Sequence, residues 1–315
     1  MKHAAVALSL LLLAAAPQDK KPQIVATDPK DAGPDFMVQG EYAAEGATVA
    51  AQVVALGDAK FDVYFLGGGL PGAGWDQKTR VKVAAKTDGG KTVFEGEGYS
   101  GSIADGKLEG KGSDGEIKLA RVVRKSSTEG LKAPEGAVVL FDGKSADAWD
   151  KNKLENGILT TYKSGNLNSK QKFGNAKVHV EFMLSFMPAG RGQGRSNSGV
   201  YLAGRHEVQV LDSFGLKGEN NECGGLYSIA RPAVNMCFPP LQWQTYDIEY
   251  RLATAEKGAT ISVLHNGVKI HENIEFKGKT TAATNSEPPQ QPGPLHLQDH
   301  GNPVFYRNIW VQEIK

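Results

Sequence analysis

Three short runs of polar residues hold most of the side chains in this sequence that could do acid–base work. The first is Arg205-His206-Glu207-Val208-Gln209-Val210-Leu211-Asp212. On a regular strand Glu207 and Gln209 point to one face, and Val208 and Val210 to the other. Asp212 falls on the valine face unless a bulge shifts it. The second run is His296-Leu297-Gln298-Asp299-His300-Gly301-Asn302-Pro303, followed by Arg307. His296 and Gln298 share a face, while Asp299 and His300 belong to a turn beyond the strand. Two histidines, a carboxylate and an arginine so close together could form an acid–base site. The third run, Arg195-Ser196-Asn197-Ser198-Gly199-Val200-Tyr201, reads as a polar loop entering a strand. Asn197 suits sugar hydroxyls, and Tyr201 could stack on a pyranose face. Each run also has a plainer reading, as solvated strand positions or as a turn that satisfies its own backbone.

Familiar catalytic signatures are missing. The sequence has no GxSxG elbow, no HExxH, no CxxC pair and no EF-hand spacing. His206-Glu207 starts like a zinc motif but lacks the second histidine. Gly67-Gly68-Gly69-Leu70-Pro71-Gly72-Ala73-Gly74 resembles a phosphate loop, yet it lacks the Lys-Ser/Thr ending and no long helical pattern follows. It reads as a glycine-rich loop between strands.

The elements that must position these runs are strands. Phe61–Phe65, Val81–Val83 and Thr92–Glu97 alternate apolar and polar residues, with Asp105-Gly106 and Asp114-Gly115 as turns. That spacing suits a β-meander or small barrel over residues 36–125. Residues 126–136 are small and polar and contain Pro134, the composition of a linker. In the second domain, residues 137–315, Val178, Val180, Phe182 and Leu184 share a face opposite His179 and Glu181. Gln244, Tyr246, Ile248 and Tyr250 alternate with Thr245, Asp247 and Glu249. Asn266-Gly267 between alternating segments predicts a type I′ hairpin. Many short strands joined by irregular loops, among them the proline-rich stretch Thr280–Pro294, predict an all-β chain. A β-sandwich or jelly roll would follow a small β-rich domain.

At 315 residues the chain has room for two domains. Its 40% hydrophobic and 23% charged residues are those of a globular protein, and a net charge of +1 gives no electrostatic case for nucleic acid. Lys2 and His3 precede an apolar run from Ala4 to Ala16, the pattern of a secretory signal peptide over residues 1–16. That run is too short to span a bilayer, and no other stretch is apolar for long enough. The expected location is therefore secreted or periplasmic. Residues 17–35, rich in Lys, Asp and Pro, read as a flexible lead-in. Only two cysteines occur, Cys223 and Cys237. In an oxidising compartment they are expected to form a disulfide, closing a loop worth about 3 kcal/mol. Two free thiols are the alternative.

From about Ala137 to Lys315 the sequence resembles the 3-keto-disaccharide hydrolase family. Carrying the resemblance are Leu140-Phe141-Asp142-Gly143-Lys144, Ser196-Asn197-Ser198-Gly199-Val200-Tyr201 and Glu207-Val208-Gln209-Val210-Leu211-Asp212. Trp243-Gln244-Thr245-Tyr246-Asp247-Ile248, His265-Asn266-Gly267-Val268, Leu297–Val304 and Arg307-Asn308-Ile309-Trp310 follow in order. The resemblance implies a concanavalin-like jelly roll and cleavage of glycosides whose glucose is oxidised at C3. A C3 ketone acidifies the C2 proton, so a base can remove it and expel the C1 substituent, after which water adds. On that reading Glu207 or His300 is the expected base. Arg307 and Gln298 would stabilise the enolate, and Asn197 and Gln209 would hold hydroxyls. A divalent metal on the enolate oxygen, with His and carboxylate ligands, would fit this chemistry, although no spacing demands one.

Two other readings remain at this point. A jelly roll can be a non-catalytic carbohydrate-binding module. An ordinary two-carboxylate glycosidase would place Asp212 or Asp299 about 5–10 Å from Glu207. Gln209 stands where jelly-roll glycosidases of that kind carry a middle carboxylate. The N-terminal domain lies outside the resemblance and is expected to attach the protein to a surface or a partner.

Overall fold

The computed structural model describes residues 23–151 and 153–314. The expected signal segment, residues 1–16, and the first part of the lead-in lie outside the described residues. The N-terminal domain is a closed antiparallel barrel of eight strands in chain order. These are β1 (Gly40–Ala43), β2 (Val49–Gly57), β3 (Lys60–Gly67), β4 (Arg80–Asp88), β5 (Lys91–Gly96), β6 (Tyr99–Ala104), β7 (Lys107–Gly112) and β8 (Gly115–Val122). Closure by β1 pairing with β8 removes the exposed edges an open sheet would present. Alternate residues fill the interior, among them Val53, Phe61, Val63, Phe65, Val83, Phe94, Ile103, Leu108 and Leu119. A small barrel has room for large rings only where a neighbour is small. Gly101 sits opposite Phe94, and a Cβ there would stand 2.7 Å from the ring's Cζ. The glycine-rich stretch 67–74 is the loop between β3 and β4 and packs against Met236 and Val268 of the second domain.

The lead-in is more ordered than its composition predicts. Ala26 exchanges backbone hydrogen bonds with Phe186, at 3.0 and 2.9 Å, and both side chains are buried. A short helix, α1 (Pro34–Val38), follows, and Phe36 meets Phe186 edge to face at 5.4 Å. Phe186, a second-domain residue, thus belongs to the barrel's apolar core.

The second domain is a sandwich of an eight-stranded and a four-stranded sheet. In chain order its strands are β9 (Val138–Phe141), β10 (Leu154–Glu155), β11 (Ile158–Thr160), β12 (Leu167–Phe173), β13 (Ala176–Leu184), β14 (Asn197–Leu202) and β15 (His206–Leu211). Then come β16 (Trp243–Arg251), β17 (Thr260–His265), β18 (Val268–Glu275), β19 (Gly293–Leu297) and β20 (Val304–Glu313). The large sheet runs β10-β11-β20-β13-β16-β17-β18, with β9 also pairing β20, and the small sheet runs β12-β19-β14-β15. Asn266 and Gly267 have φ of 53° and 80°, the paired positive angles the β17–β18 hairpin requires. Between the sheets lie Val178, Val180, Phe182, Val200, Val208, Val210, Ile248, Leu297 and Tyr306. Each fully buried aliphatic or aromatic side chain contributes roughly 1.5–3 kcal/mol.

The linker lies over the outer face of the large sheet. His179 is buried between Asp247 Oδ1 at 2.6 Å and Glu181 Oε1 at 3.5 Å. Thr128 Oγ1 donates to Asp247, and Gly130 N donates to Glu181 at 2.6 Å. Arg307 also belongs here. Its guanidinium binds Glu181 at 2.6 Å and Glu129 at 2.8 Å and covers the Trp243 ring at 4.0 Å. Burial alone would push the Glu181 carboxyl up, but its hydrogen bonds to His179, Asn308, Gly130 and Arg307 outweigh that and hold it at about 2. The enolate-stabilising role expected of Arg307 therefore gives way to a structural one, because β20 is in the other sheet.

Cys223 and Cys237 are both buried free thiols, so the expected disulfide is not formed. Cys223 Sγ lies 3.2 Å from the Tyr246 hydroxyl, and Cys237 Sγ faces the Leu211 and Phe238 carbonyls. The two thiols are hydrogen-bond partners. Burial pushes the Cys237 thiol up, while at Cys223 burial is outweighed by bonds to Cys237, the Leu211 backbone and the Tyr246 hydroxyl, which hold that thiol below its usual value.

Candidate functional site

Strand register builds the site on the outer face of the small sheet. Asn168 of β12 pairs with His296 of β19, His296 with Tyr201 of β14, and Tyr201 with Glu207 of β15. These residues alternate with core side chains, so all four point away from the core. One step along, Gln298 N donates to the Gly199 carbonyl and Gly199 pairs with Gln209. Gly199 matters because it carries no side chain. A Cβ there would collide with Glu207 Oε1 and come within 3.0 Å of the Tyr201 ring. The missing methyl leaves the space into which the Glu207 carboxylate folds.

A cavity of about 100 Å³ lies above this row, lined by Gln193, Tyr201, Glu207, Gln209, Tyr227, Thr281, Ala282, Gln298 and His300. Glu207 and Gln298, remote in sequence, thus share one cavity. Glu207 is 2% exposed, and burial pushes its carboxyl up to about 7, against a smaller opposing effect of the neighbouring Tyr201 hydroxyl. Among the described residues it is the cavity's one carboxylate. The Tyr201 hydroxyl accepts from Gln298 Nε2 at 3.1 Å and donates to the Thr281 carbonyl at 3.1 Å. Gln209 Nε2 donates to Gln193 Oε1 at 2.9 Å, which turns both amides toward the cavity. His300 is exposed at the rim.

Several expected site residues do other work. The Tyr201 ring is fully buried and meets His296 edge-on at 4.9 Å, so it has no free face to stack on a sugar. His296 is itself buried, with Nδ1 on Asn168 Oδ1 at 2.8 Å, and burial pushes its imidazole down to about 4. It supports Tyr201 from behind as a neutral ring. Asp212 is tied to Arg195 Nε at 2.6 Å in a buried ion pair and accepts from Phe214 N. Asp299 caps a turn, accepting from Gly165 N and Gly301 N at 3.0 and 2.9 Å. Neither aspartate lines the cavity, because both carboxylates are consumed by local partners. Asn197 lies just below it, donating to the Gln193 carbonyl at 2.8 Å and to Gln193 Oε1 at 3.1 Å.

Gln193, Tyr227, Thr281 and Ala282 also line the cavity, and no motif in the sequence marks them. All come from loops without periodic pattern. For Gln193 the only signal was its setting in a glycine-rich polar segment, Gly190-Arg191-Gly192-Gln193-Gly194. Tyr227 sits in the Cys223–Cys237 segment, which adds along β15 through Gly224 N to the Gln209 carbonyl and Gln209 N to the Gly225 carbonyl, both at 2.9 Å. Among the described residues no three His, Cys, Asp or Glu side chains are grouped so that they could hold a metal ion. The cavity offers one carboxylate, one exposed imidazole and amides, which is not a ready ligand set for a divalent metal.

A search among curated proteins found no match. Among solved structures, a candidate glycosyl hydrolase from Parabacteroides distasonis is 30% identical, over 58% of this chain and 85% of that one, with a TM-score of 0.50. Another candidate glycosyl hydrolase from the same organism is 19% identical over 61% of this chain and 99% of that one, with a TM-score of 0.44. A family model described as a 3-keto-alpha-glucoside-1,2-lyase-like domain matches residues 136–312, which takes in the whole small sheet and leaves the barrel outside. The sandwich with its buried Glu207 is thus the family's domain, and the chain belongs to the 3-keto-alpha-glucoside-1,2-lyase-like family.

Proposed function

We propose that this protein cleaves 3-keto-glucosides by eliminating the C1 substituent, with Glu207 as the base. The observation that carries this reading is a single buried carboxylate, held at about 7, in a cavity otherwise lined by amides, hydroxyls and one imidazole. Direct displacement at an unoxidised glycoside needs two carboxylates across the bond. Elimination needs one base, poised near working pH. Membership of the 3-keto-alpha-glucoside-1,2-lyase-like family supports this substrate class, and the 30%-identical glycosyl hydrolase supports action on glycosides.

Glu207 takes the C2 proton, and the C2–H electrons pass into the enolate of the C3 ketone. Gln298 has one amide hydrogen on Tyr201 and one left for the enolate oxygen. The enolate collapses by forming the C1–C2 double bond and breaking the C1–O bond. The leaving oxygen takes a proton from His300 or from water. Gln193 and Gln209 are placed to hold ring hydroxyls. In an α-glucoside the C2 hydrogen and the C1 oxygen are axial on opposite faces, so base and proton donor must be different groups. At about 100 Å³ the cavity is below the roughly 300 Å³ of typical ligand pockets. Thr281 and Ala282, on the loop from β18 to β19, must therefore shift when a whole sugar enters.

Incubation with a chromogenic glucoside and with its 3-keto analogue, with and without a chelator, tests the proposal. Release from the keto substrate alone is expected. Equal release from both sugars would point to ordinary hydrolysis, and binding without release to a carbohydrate-binding module.

A further inference from the structure

We infer that the N-terminal barrel is a fixed brace for one wall of the sugar cavity, acting through Arg191 to hold Gln193. This rests on the reading of the cavity given above. The wall is the loop joining β13 to β14, residues 185–196, and the barrel grips it at both ends. At its start, Phe186 is buried in the barrel's own apolar core. Toward its end, Arg195 Nη1 donates to the Ala55 carbonyl of β2 at 3.2 Å. Between them, Arg191 Nη2 donates to the Leu56 carbonyl at 2.9 Å, while its Nη1 donates to the Pro188 and Gly190 carbonyls, both at 2.6 Å. One guanidinium therefore joins the barrel's β2–β3 corner to the backbone of the loop. Gly57 lies against Ala189 at the same corner.

Two residues beyond Arg191, the loop presents Gln193. Its Oε1 accepts from Gln209 and Asn197, and its Nε2 donates to the Asn221 carbonyl at 2.8 Å. One amide hydrogen remains, on a side chain that lines the cavity. That hydrogen suits a sugar hydroxyl. Gln193 sits between Gly192, at φ 50°, and Gly194 in a single 3₁₀ turn, short and glycine-rich enough to need support from outside. The barrel supplies what the loop lacks. Arg191 is a positioning residue, and Gln193 is the group that touches substrate.

The test compares Arg191→Ala, Gln193→Ala and the double variant in the full-length protein. Arg191 is exposed, so its removal should leave the fold intact. Each single variant should raise KM for the keto substrate about tenfold, the loss of one hydrogen bond, with kcat little changed. The double variant should be no worse than either single, since both remove the same contact. Arg191→Lys should recover part of the loss. Hydrogen exchange at residues 190–194 should speed up in Arg191→Ala and not in Gln193→Ala. Unchanged exchange in Arg191→Ala, or additive effects in the double variant, would overturn the brace. A wild-type protein that turns over no keto-glycoside would fail the functional reading alone, because the exchange measurement still judges the brace.

Discussion

Glu207→Gln should abolish turnover and at the same time stabilise the protein above neutral pH. Loss of a positioned general base lowers kcat by roughly 10²–10⁴-fold. The stability effect follows from the raised carboxyl. A group whose folded pKa is about 7, against 4.5 in the unfolded chain, is most comfortable when protonated. Its contribution is full below pH 4.5, declines as pH rises through about 7, and then stays low. The difference corresponds to about 3 kcal/mol at pH 8, taking 1.36 kcal/mol for each unit. Glutamine keeps the shape and removes the charge, so Tm should rise by about 5 °C at pH 8 and hardly move at pH 4. In the wild type, kcat/KM should climb with pH and level off above about pH 8, as Glu207 loses its proton. Flat activity across pH 5–8 (roughly the window in which a base held near neutrality titrates), or a Glu207→Gln enzyme of normal kcat, would remove Glu207 from the chemistry.

The second large effect concerns stability rather than turnover. Asp212→Ala leaves the Arg195 guanidinium buried without its acid, and breaking such a pair typically costs 3–5 kcal/mol. A fall in Tm of roughly 10 °C is expected. Arg195 also ties the Ala55 carbonyl of the barrel to the loop that carries Gln193, so thermal unfolding of the two domains should separate. At a temperature where the variant is still folded, kcat should remain within about tenfold of wild type. A kcat loss as deep as that of Glu207→Gln, with Tm unchanged, would instead make Asp212 the second carboxylate of an ordinary glycosidase.

Period-two patterning made the β-sandwich legible, because strand alternation is written locally. Val178, Val180, Phe182 and Leu184 spell out the core face of β13, and Asn266-Gly267 the β17–β18 hairpin. Closure of the first domain was less visible, since whether a meander closes depends on strand tilt and on β1 meeting β8, which no single segment encodes. Glu207, Gln209 and Gln298 could be placed on strand faces for the same reason that the core could. Arg307 could not be excluded by that argument, because spacing along a strand does not say in which sheet the strand lies. Tyr201 and His296 point toward the site as expected but are covered by loops, and cover is a tertiary property. Gln193, Thr281 and Ala282 carry no mark in the sequence because loops have no period, and what fixes them is contact with groups distant in the chain, such as the Asn221 carbonyl for Gln193 and the Tyr201 hydroxyl for Thr281.

The most direct test of the central claim is the fate of the C2 hydrogen. With a 3-keto-glucoside deuterated at C2, proton removal by Glu207 predicts a several-fold slowing of kcat/KM and loss of the label to solvent in the product. Equal rates for labelled and unlabelled substrate, with deuterium retained at C2 after the glycosidic bond has broken, would contradict it.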